Sequence, residues 1–473
     1  MTHTREPRTV PDWVPDAIFY QIFPDRFCNG DRSNDPPDTE SWGNPPTREN
    51  FFGGDLQGIF EKLDYLQNLG VNALYFNPIF RARTNHKYDT CDYFEVDPAF
   101  GSNDLLKELV REVHRRSMHI ILDGVFNHCG DGFWAFEDVK ARGAASPYAD
   151  WFIVRSYPIR ASPLSYYTCG GAPYLPKLNL NHGPVQEYIL NVARYWLEEA
   201  GIDGWRLDTP CKIPLAFWRE FRAAMKAVNP QAYLVGEIWR EAAPWIQGDT
   251  FDGITNYRLR ELILGYCVEN VLDAEDLAFE LNLIHQAHGN AAPLMLNLLG
   301  SHDTRRVLTV MRGEVDRLLV AVAFLMTAPG APLIYYGDEI GLCGDMDPDC
   351  RRTMVWDETR WNRRISDAYR KLIRLRHTHP SLRLGRFQAL LAFDRVLAYR
   401  RVYEADEVII VLNPGSAVMD LAIPTGSHTD AWHDPWSGQQ RIAANGMVLI
   451  ECVPAVSFAI LVPSASKAHS ACL

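Results

Sequence analysis

The chain has 473 residues, of which 47% are hydrophobic and 22% are charged, and its formal net charge is −12. This size and composition predict a globular protein with one large domain and one or two small ones. The acidic balance argues against binding to nucleic acids or anionic membranes, and no apolar stretch is long enough to span a bilayer.

The N-terminus and the cysteines bear on the cellular compartment. The first residues lack the apolar segment of a secretory signal, and the ten cysteines are scattered without CxxC or other paired spacing. Such cysteines are typical of reduced thiols in a cytosol. We therefore expect a cytoplasmic protein, and the alternative is a secreted form whose signal has been removed.

Strand and helix patterns alternate along most of the chain. Apolar runs bounded by turn residues predict eight buried strands: Ala17–Phe23, Val71–Phe76, His119–Phe126, Gly204–Asp208, Tyr233–Glu237, Ile254–Tyr257, Leu294–Leu299 and Leu333–Tyr336. Between them lie helical patterns, such as Phe217, Phe221 and Met225, which are spaced by four. The sequence therefore predicts an α/β fold, a (β/α)8 TIM barrel.

Two segments depart from this alternation. Residues 129–180 are irregular and aromatic, which favours a small inserted domain after the third strand because such a long structureless loop is improbable. Residues 385–473 contain short alternating runs that predict a C-terminal antiparallel β-sandwich. These runs are Val396–Arg401, Val408–Leu412, Ala431–Trp436, Met447–Val453 and Phe458–Val462. The barrel would comprise residues 1–128 and 181–384.

Two carboxylates follow neighbouring strands of the predicted barrel. Asp208 ends one apolar run and Glu237 ends the next, twenty-nine positions later. The C-terminal ends of barrel strands carry the active site in such folds. Two carboxylates in one cleft indicate cleavage of a glycosidic bond. Arg206 lies on the same strand face as Asp208 and would keep it ionised.

Other polar residues follow the third and seventh strands. Asp123 and His128 end the third strand, and His302 and Asp303 follow the seventh. A single aspartate after a strand is usually a helix cap or a turn former. Four such endings at one rim predict an active site.

These motifs resemble those of the α-amylase family of glycoside hydrolases. Residues 175–179 (LPKLN) and 85–90 (NHKYDT) resemble motifs of its neopullulanase, cyclomaltodextrinase and maltogenic amylase subgroup. The resemblance implies that Asp208 is the nucleophile, Glu237 the general acid/base, and Asp303 the residue that holds the sugar's 2- and 3-hydroxyls. Retention of configuration follows, with the two reacting carboxyl groups about 5 Å apart.

The resemblance also implies residues that bind the sugar next to the scissile bond. Tyr88 would stack under this sugar, although it could also be an ordinary core tyrosine. His86 would line the same subsite, and His128 and His302 would donate to hydroxyls. Such contacts raise the rate only if they tighten in the transition state.

Residues farther along the cleft follow by the same resemblance. Trp239 would offer an aromatic platform on the acceptor side. Asp347 and Arg351 would close the −2 side, although they could also form an ordinary surface ion pair.

A calcium site is predicted in an oxygen-rich loop. The candidate ligands are Asn29, Asp31, Asn34, Asp35, Gly53 and Asp55. Calcium takes such carboxylate, amide and carbonyl oxygens, but the same residues also favour turns without any ion. The resemblance favours the ion, with a structural role. Asn127 resembles a second calcium residue of the family, but the aspartates expected around it are not evident.

The chain departs from the subgroup in two places. Members usually begin with a β-sandwich that narrows the cleft and supports a dimer, whereas here residues 11–13 lead directly into the first strand. We expect a more open cleft and leave open a monomer or a homodimer. Lys212 stands where the family more often has an acid, so the balance between hydrolysis and transfer to a sugar is uncertain.

The sequence thus predicts a retaining α-glucan hydrolase that cleaves α-1,4, and also α-1,6, bonds in cyclodextrins, pullulan, starch or maltooligosaccharides. An α-1,6 debranching enzyme and a 4-α-glucanotransferase are the alternatives, because they share every catalytic residue. A catalytically inactive glucan-binding protein is a third, but such relatives typically lose the nucleophile or the acid.

Overall fold

The computed structural model describes residues 10–269, 271–426 and 430–464. The first 384 residues contain β1 (Phe19–Ile22), α1 (Pro24–Phe27), α2 (Leu56–Glu61), α3 (Leu63–Leu69), β2 (Ala73–Phe76), β3 (Phe80–Ala82), β4 (Thr90–Val96), α4 (Asn103–Arg115), β5 (His119–Gly124), α5 (Trp134–Arg142), α6 (Gly183–Tyr195), β6 (Gly204–Leu207), α7 (Leu215–Val228), β7 (Tyr233–Gly236), β8 (Gly253–Ile254), α8 (Tyr257–Leu264), α9 (Ala274–His288), β9 (Leu296–Leu298), α10 (Val307–Val310), α11 (Val315–Thr327), β10 (Ala331–Tyr335), α12 (Arg363–Thr378) and α13 (Pro380–Leu384).

Eight parallel strands form the barrel. Their order is β8-β7-β6-β5-β2-β1-β10-β9, and a parallel bridge between Thr255 and Leu296 joins the first strand of this order to the last. Side chains including Phe19, Tyr233 and Leu298 fill the barrel interior. The helices pack around the outside in one large apolar cluster. The predicted TIM barrel is therefore confirmed, with a strand at each of the eight predicted places.

Two local differences from the prediction concern the loops that form the rim. The strand predicted over residues 254–257 ends at Ile254, because the Asn256 side chain accepts a hydrogen bond from Leu259 N and thereby caps α8. The antiparallel β3–β4 pair, which carries residues 83–89 between its strands, was not predicted. Its first strand has only three residues, too few to show the alternation of apolar and polar side chains that is typical of a strand.

Residues 129–180 lie between β5 and α6. They contain α5 and several isolated bridges, one of which pairs Lys177 with His128, four residues after the end of β5. An aromatic cluster packs inside this segment, including edge-to-face contacts of Trp134 with Tyr148 and Trp151. The segment thus sits beside the C-terminal ends of the barrel strands. The exact domain boundaries stay a prediction.

Eight strands form the C-terminal sheet: β11 (Arg386–Phe393), β12 (Val396–Tyr403), β13 (Asp406–Asn413), β14 (Val418–Pro424), β15 (Ala431–His433), β16 (Gln440–Ala444), β17 (Met447–Val453) and β18 (Ser457–Pro463). They pair in the antiparallel order β11-β12-β13-β18-β15-β16-β17-β14. The predicted C-terminal β module is present. β11, β14 and β16 were not predicted, because much of their surface is exposed and their apolar runs are weak.

The two faces of this sheet pack differently. In β12, Val396 and Ala398 point into a core shared with Leu421 and Val448 of the other half of the sheet. The alternate residues of β12, beginning with Leu397, join the apolar cluster that surrounds the barrel. The sheet therefore encloses its own core on one face and packs on the barrel with the other.

Two further features concern the cysteines and the helices. The nine cysteines of the described ranges are free thiols. In residues 10–269, 271–426 and 430–464, no helix combines the length and apolar character needed to cross a membrane.

Candidate active site

A pocket of about 280 Å3 opens at the C-terminal ends of the barrel strands. Nine of the eleven residues predicted to be catalytic or to bind substrate line it: His86, Tyr88, His128, Asp208, Glu237, His302, Asp303, Asp347 and Arg351. They come from segments spread over 266 positions between His86 and Arg351, and the barrel brings them together. The remaining two, Arg206 and Trp239, lie directly beside the pocket.

Arg206 lies at the centre of the carboxylate cluster. One terminal nitrogen donates to Asp208 Oδ1 and to Asp123 Oδ1, both at 2.9 Å, and the other lies 3.0 Å from Glu237 Oε1. The predicted Arg206–Asp208 pair is thus present. The sequence placed Asp123 at this rim without assigning it a role, and the structure shows it as the third carboxylate on the same guanidinium. The separation between the two reacting carboxyl groups stays a prediction.

Thr209 connects the same two carboxylates from the other side. Its backbone N–H donates to Glu237 Oε2 at 3.0 Å, and its hydroxyl donates to Asp208 Oδ2 at 3.1 Å. Its φ of 39° lies in the left-handed region, which a threonine rarely adopts. Strained residues of this kind cluster at functional sites. The sequence offers no signal for this conformation.

The charges of the cluster determine its proton content. Burial and the negative charge of Glu237 raise the pKa of Asp208 well above its usual range, and Arg206 opposes this rise. Burial likewise raises the pKa of Asp123, again against Arg206. Burial and the neighbouring carboxylates therefore favour the protonated form of Asp208, whereas the Arg206 guanidinium favours its ionised form.

The Tyr88 hydroxyl is held by three partners. It donates to Asp123 Oδ2 at 2.8 Å and accepts from Asn77 Nδ2 at 3.1 Å and from His302 Nε2 at 2.6 Å. His302 carries its proton on Nε2 because its Nδ1 accepts from Gln21 Nε2 at 2.9 Å. These bonds fix the Tyr88 ring in the pocket wall. Gln21 and Asn77 were not predicted, although a polar residue at the end of an apolar run was a usable signal.

The pocket histidines are neutral at neutral pH. Burial lowers the pKa of His128 to about 4, and burial together with Arg351 lowers the pKa of His86 to about 3. Burial also lowers the pKa of His302 well below its usual value. His128 Nε2 has no hydrogen-bond partner among the described residues. Neutral imidazoles with a free nitrogen are suited to sugar hydroxyls.

Arg351 organises the opposite wall of the pocket. Its terminal nitrogens lie 3.3 Å from Asp303 Oδ1 and 3.0 Å from Asp347 Oδ1, and its Nε donates to the backbone oxygen of His302 at 3.0 Å. Arg48 contacts the other oxygen of Asp347 at 3.2 Å. The Asp347–Arg351 pair therefore lies in the pocket and holds Asp303, rather than standing alone on the surface.

Trp239 contacts Glu237, and Lys212 ends the short turn Pro210–Lys212 that follows Asp208. Trp239 Nε1 donates to Glu237 Oε1 at 3.1 Å, and its ring stacks on Tyr257 with centroids 3.6 Å apart. The Trp239 side chain remains 42% exposed. Lys212 is exposed, and its backbone oxygen accepts from Lys177 Nζ at 2.8 Å. Burial and the Lys212 charge lower the pKa of Lys177.

The candidate calcium loop brings Asn29, Asp35 and Gly53 together, and Asn34 contacts Asp55 in the same loop. Asn29 Nδ2 donates to Asp35 Oδ1 at 2.7 Å, and the side-chain oxygens of Asn29 and Asn34 are buried without a hydrogen-bond partner. A Cβ at Gly53 would lie 2.1 Å from Asp35 Oδ1. Unpaired buried oxygens beside a carboxylate fit a hard cation.

Asp31 and Asp55 have other contacts in the same loop. The Asp55 carboxylate accepts from the backbone N–H groups of Gly30, Asp31 and Gly58 and caps α2. The Asp31 carboxylate accepts from Ser33. Within the described ranges, no group of three or more His, Cys, Asp or Glu side chains is arranged to hold a metal ion. The loop's candidate ligands are therefore mainly amide and backbone oxygens.

Comparison with known proteins identifies the family. The model of the α-amylase catalytic domain matches residues 21–373. This match begins within β1, reaches into α12 and includes every residue described above in the pocket. The chain belongs to the α-amylase family.

The relatives of this α-amylase family enzyme agree with the predicted subgroup. It is 47% identical to a cyclomaltodextrinase of a Bacillus species over 89% of this chain and 76% of the relative. It is 44% identical to neopullulanase 2 of Thermoactinomyces vulgaris over 96% of this chain and 78% of the relative. A cyclic α-maltosyl-(1→6)-maltose hydrolase of Arthrobacter globiformis superposes with a TM-score of 0.88 at 43% identity, over 96% and 99% of the two chains. The predicted family, subgroup and glycoside hydrolase class are confirmed.

Proposed function

We propose that this glycoside hydrolase cleaves α-1,4, and also α-1,6, bonds in cyclodextrins, pullulan, starch and maltooligosaccharides, with retention of configuration. The observation that carries the proposal is the Arg206 guanidinium, which contacts both Asp208 and Glu237 at about 3 Å at the base of the pocket. Paired carboxylates of this kind perform glycoside hydrolysis.

The reaction proceeds in two steps at the anomeric carbon. The Asp208 carboxylate bonds to C1 as the bond between C1 and the leaving oxygen breaks, and Glu237 gives that oxygen its proton. Water then gives a proton to Glu237, and its oxygen displaces Asp208 from C1. Two inversions restore the α configuration. Asp303, held by Arg351, accepts hydrogen bonds from the sugar's 2- and 3-hydroxyls.

The names of the similar proteins support the proposed cyclic substrates and glycosidic linkages. The names of the similar proteins refer to cyclomaltodextrins, pullulan and an α-1,6-linked cyclic maltosaccharide. These names support activity on cyclic substrates and on α-1,6 bonds. The debranching and glucanotransferase alternatives share the same carboxylates, so products distinguish them.

The test is a product analysis after equal incubations with β-cyclodextrin, pullulan and a branched limit dextrin. We expect maltose and glucose from the cyclodextrin and panose from pullulan, with the α anomer appearing first by NMR. The matched control is Asp208→Asn, which keeps the shape of the site and abolishes turnover. Linear chains released from the dextrin with the cyclodextrin untouched would make the protein a debranching enzyme.

We also propose a structural calcium ion at the loop. Asn29, Asn34 and Asp35 would supply side-chain oxygens, and the close approach of Gly53 supports a backbone contribution. Asp31 and Asp55 would complete the surroundings predicted from the sequence. The ion would supply no chemistry to the reaction, because none of these residues lines the catalytic pocket. It would tie the segment after α1 to the segment before α2.

We further propose a cytoplasmic protein. The free thiols of the described cysteines support this, because reducing compartments keep cysteines in that state. Its oligomeric state, monomer or homodimer, is to be measured by light scattering.

A further inference from the structure

A second groove lies next to the catalytic pocket. We call it the outer groove, and its volume is about 420 Å3. Its lining includes Trp239, Arg258, Glu280, Leu283, Ala287 and His288. It runs between the loop after β7 and the helices α8 and α9. None of the mechanistic steps above uses it.

The indole of Trp239 separates the outer groove from the catalytic pocket. Its Nε1 contacts the Glu237 carboxylate at 3.1 Å, while the same residue lines the groove. Glu237 gives its proton to the leaving oxygen, so the groove continues from the leaving-group side of the cleft. The Tyr257 ring, stacked at 3.6 Å with an interplanar angle of 8°, holds the indole in this position.

The groove combines apolar and polar surface as a sugar site does. Leu283 is 45% exposed and Trp239 is 42% exposed, which leaves apolar faces open to the C–H face of a pyranose. Arg258 donates to Glu280 at 2.8 Å and lies within 3.2 Å of Glu261. Half-exposed ion-paired groups of this kind can exchange hydrogen bonds with sugar hydroxyls. Burial lowers the pKa of His288 to about 4, so it is also neutral.

We propose that the outer groove binds the second glucan chain of a branched leaving group. At an α-1,6 branch point the sugar on the leaving side carries two chains, and the catalytic cleft accommodates one. The other chain leaves the cleft across Trp239 and lies against Leu283 and the Arg258–Glu280 pair. The inference rests on the proposed glucan hydrolase activity and names branched glucans as a substrate class.

The test fills the groove at a position remote from the catalytic residues. Ala287 is exposed on α9 and lines the groove, so Ala287→Trp blocks it. Gln286→Trp adds the same bulk to the adjacent exposed position, which does not line it. Initial rates are measured on a branched dextrin oligosaccharide and on maltotriose. We expect Ala287→Trp to lower kcat/KM for the branched substrate about tenfold, with maltotriose within about twofold.

Each outcome has a defined meaning. An unchanged ratio of branched to linear activity in Ala287→Trp, with Gln286→Trp as reference, overturns the groove proposal alone. A wild-type protein that cleaves neither substrate overturns the proposed function instead. If Ala287→Trp loses activity on both substrates and its melting temperature falls, Leu283→Ala is used as the test variant instead. Leu283→Ala should then raise KM for the branched substrate only, and an unchanged KM overturns the proposal.

Discussion

Arg206 determines the electrostatics of the three carboxylates that it contacts. It contacts Asp123, Asp208 and Glu237 within 3.0 Å and is almost completely buried. The arginine lowers the pKa of Asp208 against the burial and the Glu237 charge that raise it. Replacing it should therefore raise the pKa of Asp208, the proposed nucleophile, still further.

We predict that Arg206→Met lowers kcat by about 10²–10³-fold and moves the acidic limb of the pH–rate profile to higher pH. The direction follows because the proposed mechanism needs ionised Asp208, and the substitution raises the pKa of Asp208 further. The measurement is kcat/KM against pH for wild type and variant. The wild-type profile should itself rise and fall between acidic and neutral pH, since the pair works with one proton.

Arg206→Lys serves as the control for this prediction. It keeps the positive charge but cannot contact all the carboxylates in the same fork geometry. The acidic limb should therefore shift less than in Arg206→Met, while kcat still falls. Identical pH profiles in the methionine variant and the wild type would contradict the assignment, provided that both proteins melt at similar temperatures.

The C-terminal end of α11 shows how buried cations stabilise an element. Arg376 of α12 donates to the backbone oxygens of Met326 and Ala328 at 2.8 and 3.3 Å, and Arg401 of β12 donates to that of Thr327. The last carbonyl groups of a helix have no partner inside the helix, and cations are favourable there. These two arginines therefore complete the end of α11.

We predict that Arg376→Met lowers the free energy of unfolding by about 2–4 kcal/mol, because it leaves buried carbonyl oxygens without donors. Denaturant unfolding monitored by circular dichroism measures the change. Arg374→Met on the exposed face of the same helix is the matched control and should change the stability little. Equal denaturation midpoints for the two variants would show that the carbonyl groups at the end of α11 find other hydrogen-bond donors.

The calcium loop gives a third prediction. A chelator should lower the melting temperature, and added calcium should restore it. At a calcium concentration of about 100 times the Kd, bound calcium should raise the free energy of unfolding by about 3 kcal/mol. Asp35→Ala should abolish this response. Glu49→Gln, an exposed acid in the neighbouring segment, should retain it. A chelator effect that persists in Asp35→Ala would place the ion elsewhere.

Apolar runs and their polar ends were enough to predict the barrel from the sequence. A buried strand overlaps each of the eight runs, and residues at the ends of four of them meet in the pocket because parallel strands share a rim. Because alternate side chains of a strand point to the same face, the sequence also placed Arg206 beside Asp208. Three features carried no local signal: the left-handed Thr209, the short β3, and the half-exposed strands such as β14. Their conformations depend on tertiary contacts.

The barrel and the C-terminal sheet share one apolar core. Leu397 and Tyr399 of β12 belong to the cluster that also contains the barrel helices, and the Tyr399 hydroxyl hydrogen-bonds to Thr327 of α11. Arg401 reaches the same helix end. The two domains therefore support each other over an extended buried surface.

We predict a single thermal transition for the whole protein. Leu397→Ala, on the barrel-facing side of β12, should lower the free energy of unfolding by about 2–5 kcal/mol and shift the entire transition. Leu449→Ala is the matched control, because Leu449 is 47% exposed on β17. Differential scanning calorimetry is the measurement. Two separate transitions, with only one displaced by Leu397→Ala, would mean that the domains melt independently.

The double-sided packing of the C-terminal sheet also limits how such a chain can be recombined. A chimera joined between α13 and β11 would pair one parent's barrel helices with the other parent's Leu397, Tyr399 and Arg401. Those positions touch α11 or its surroundings directly, so they must be inherited together with that helix. Crossovers in the half of the sheet around β14, β16 and β17 would leave the packing of β12 on α11 intact. Segments from another parent should therefore be tolerated there.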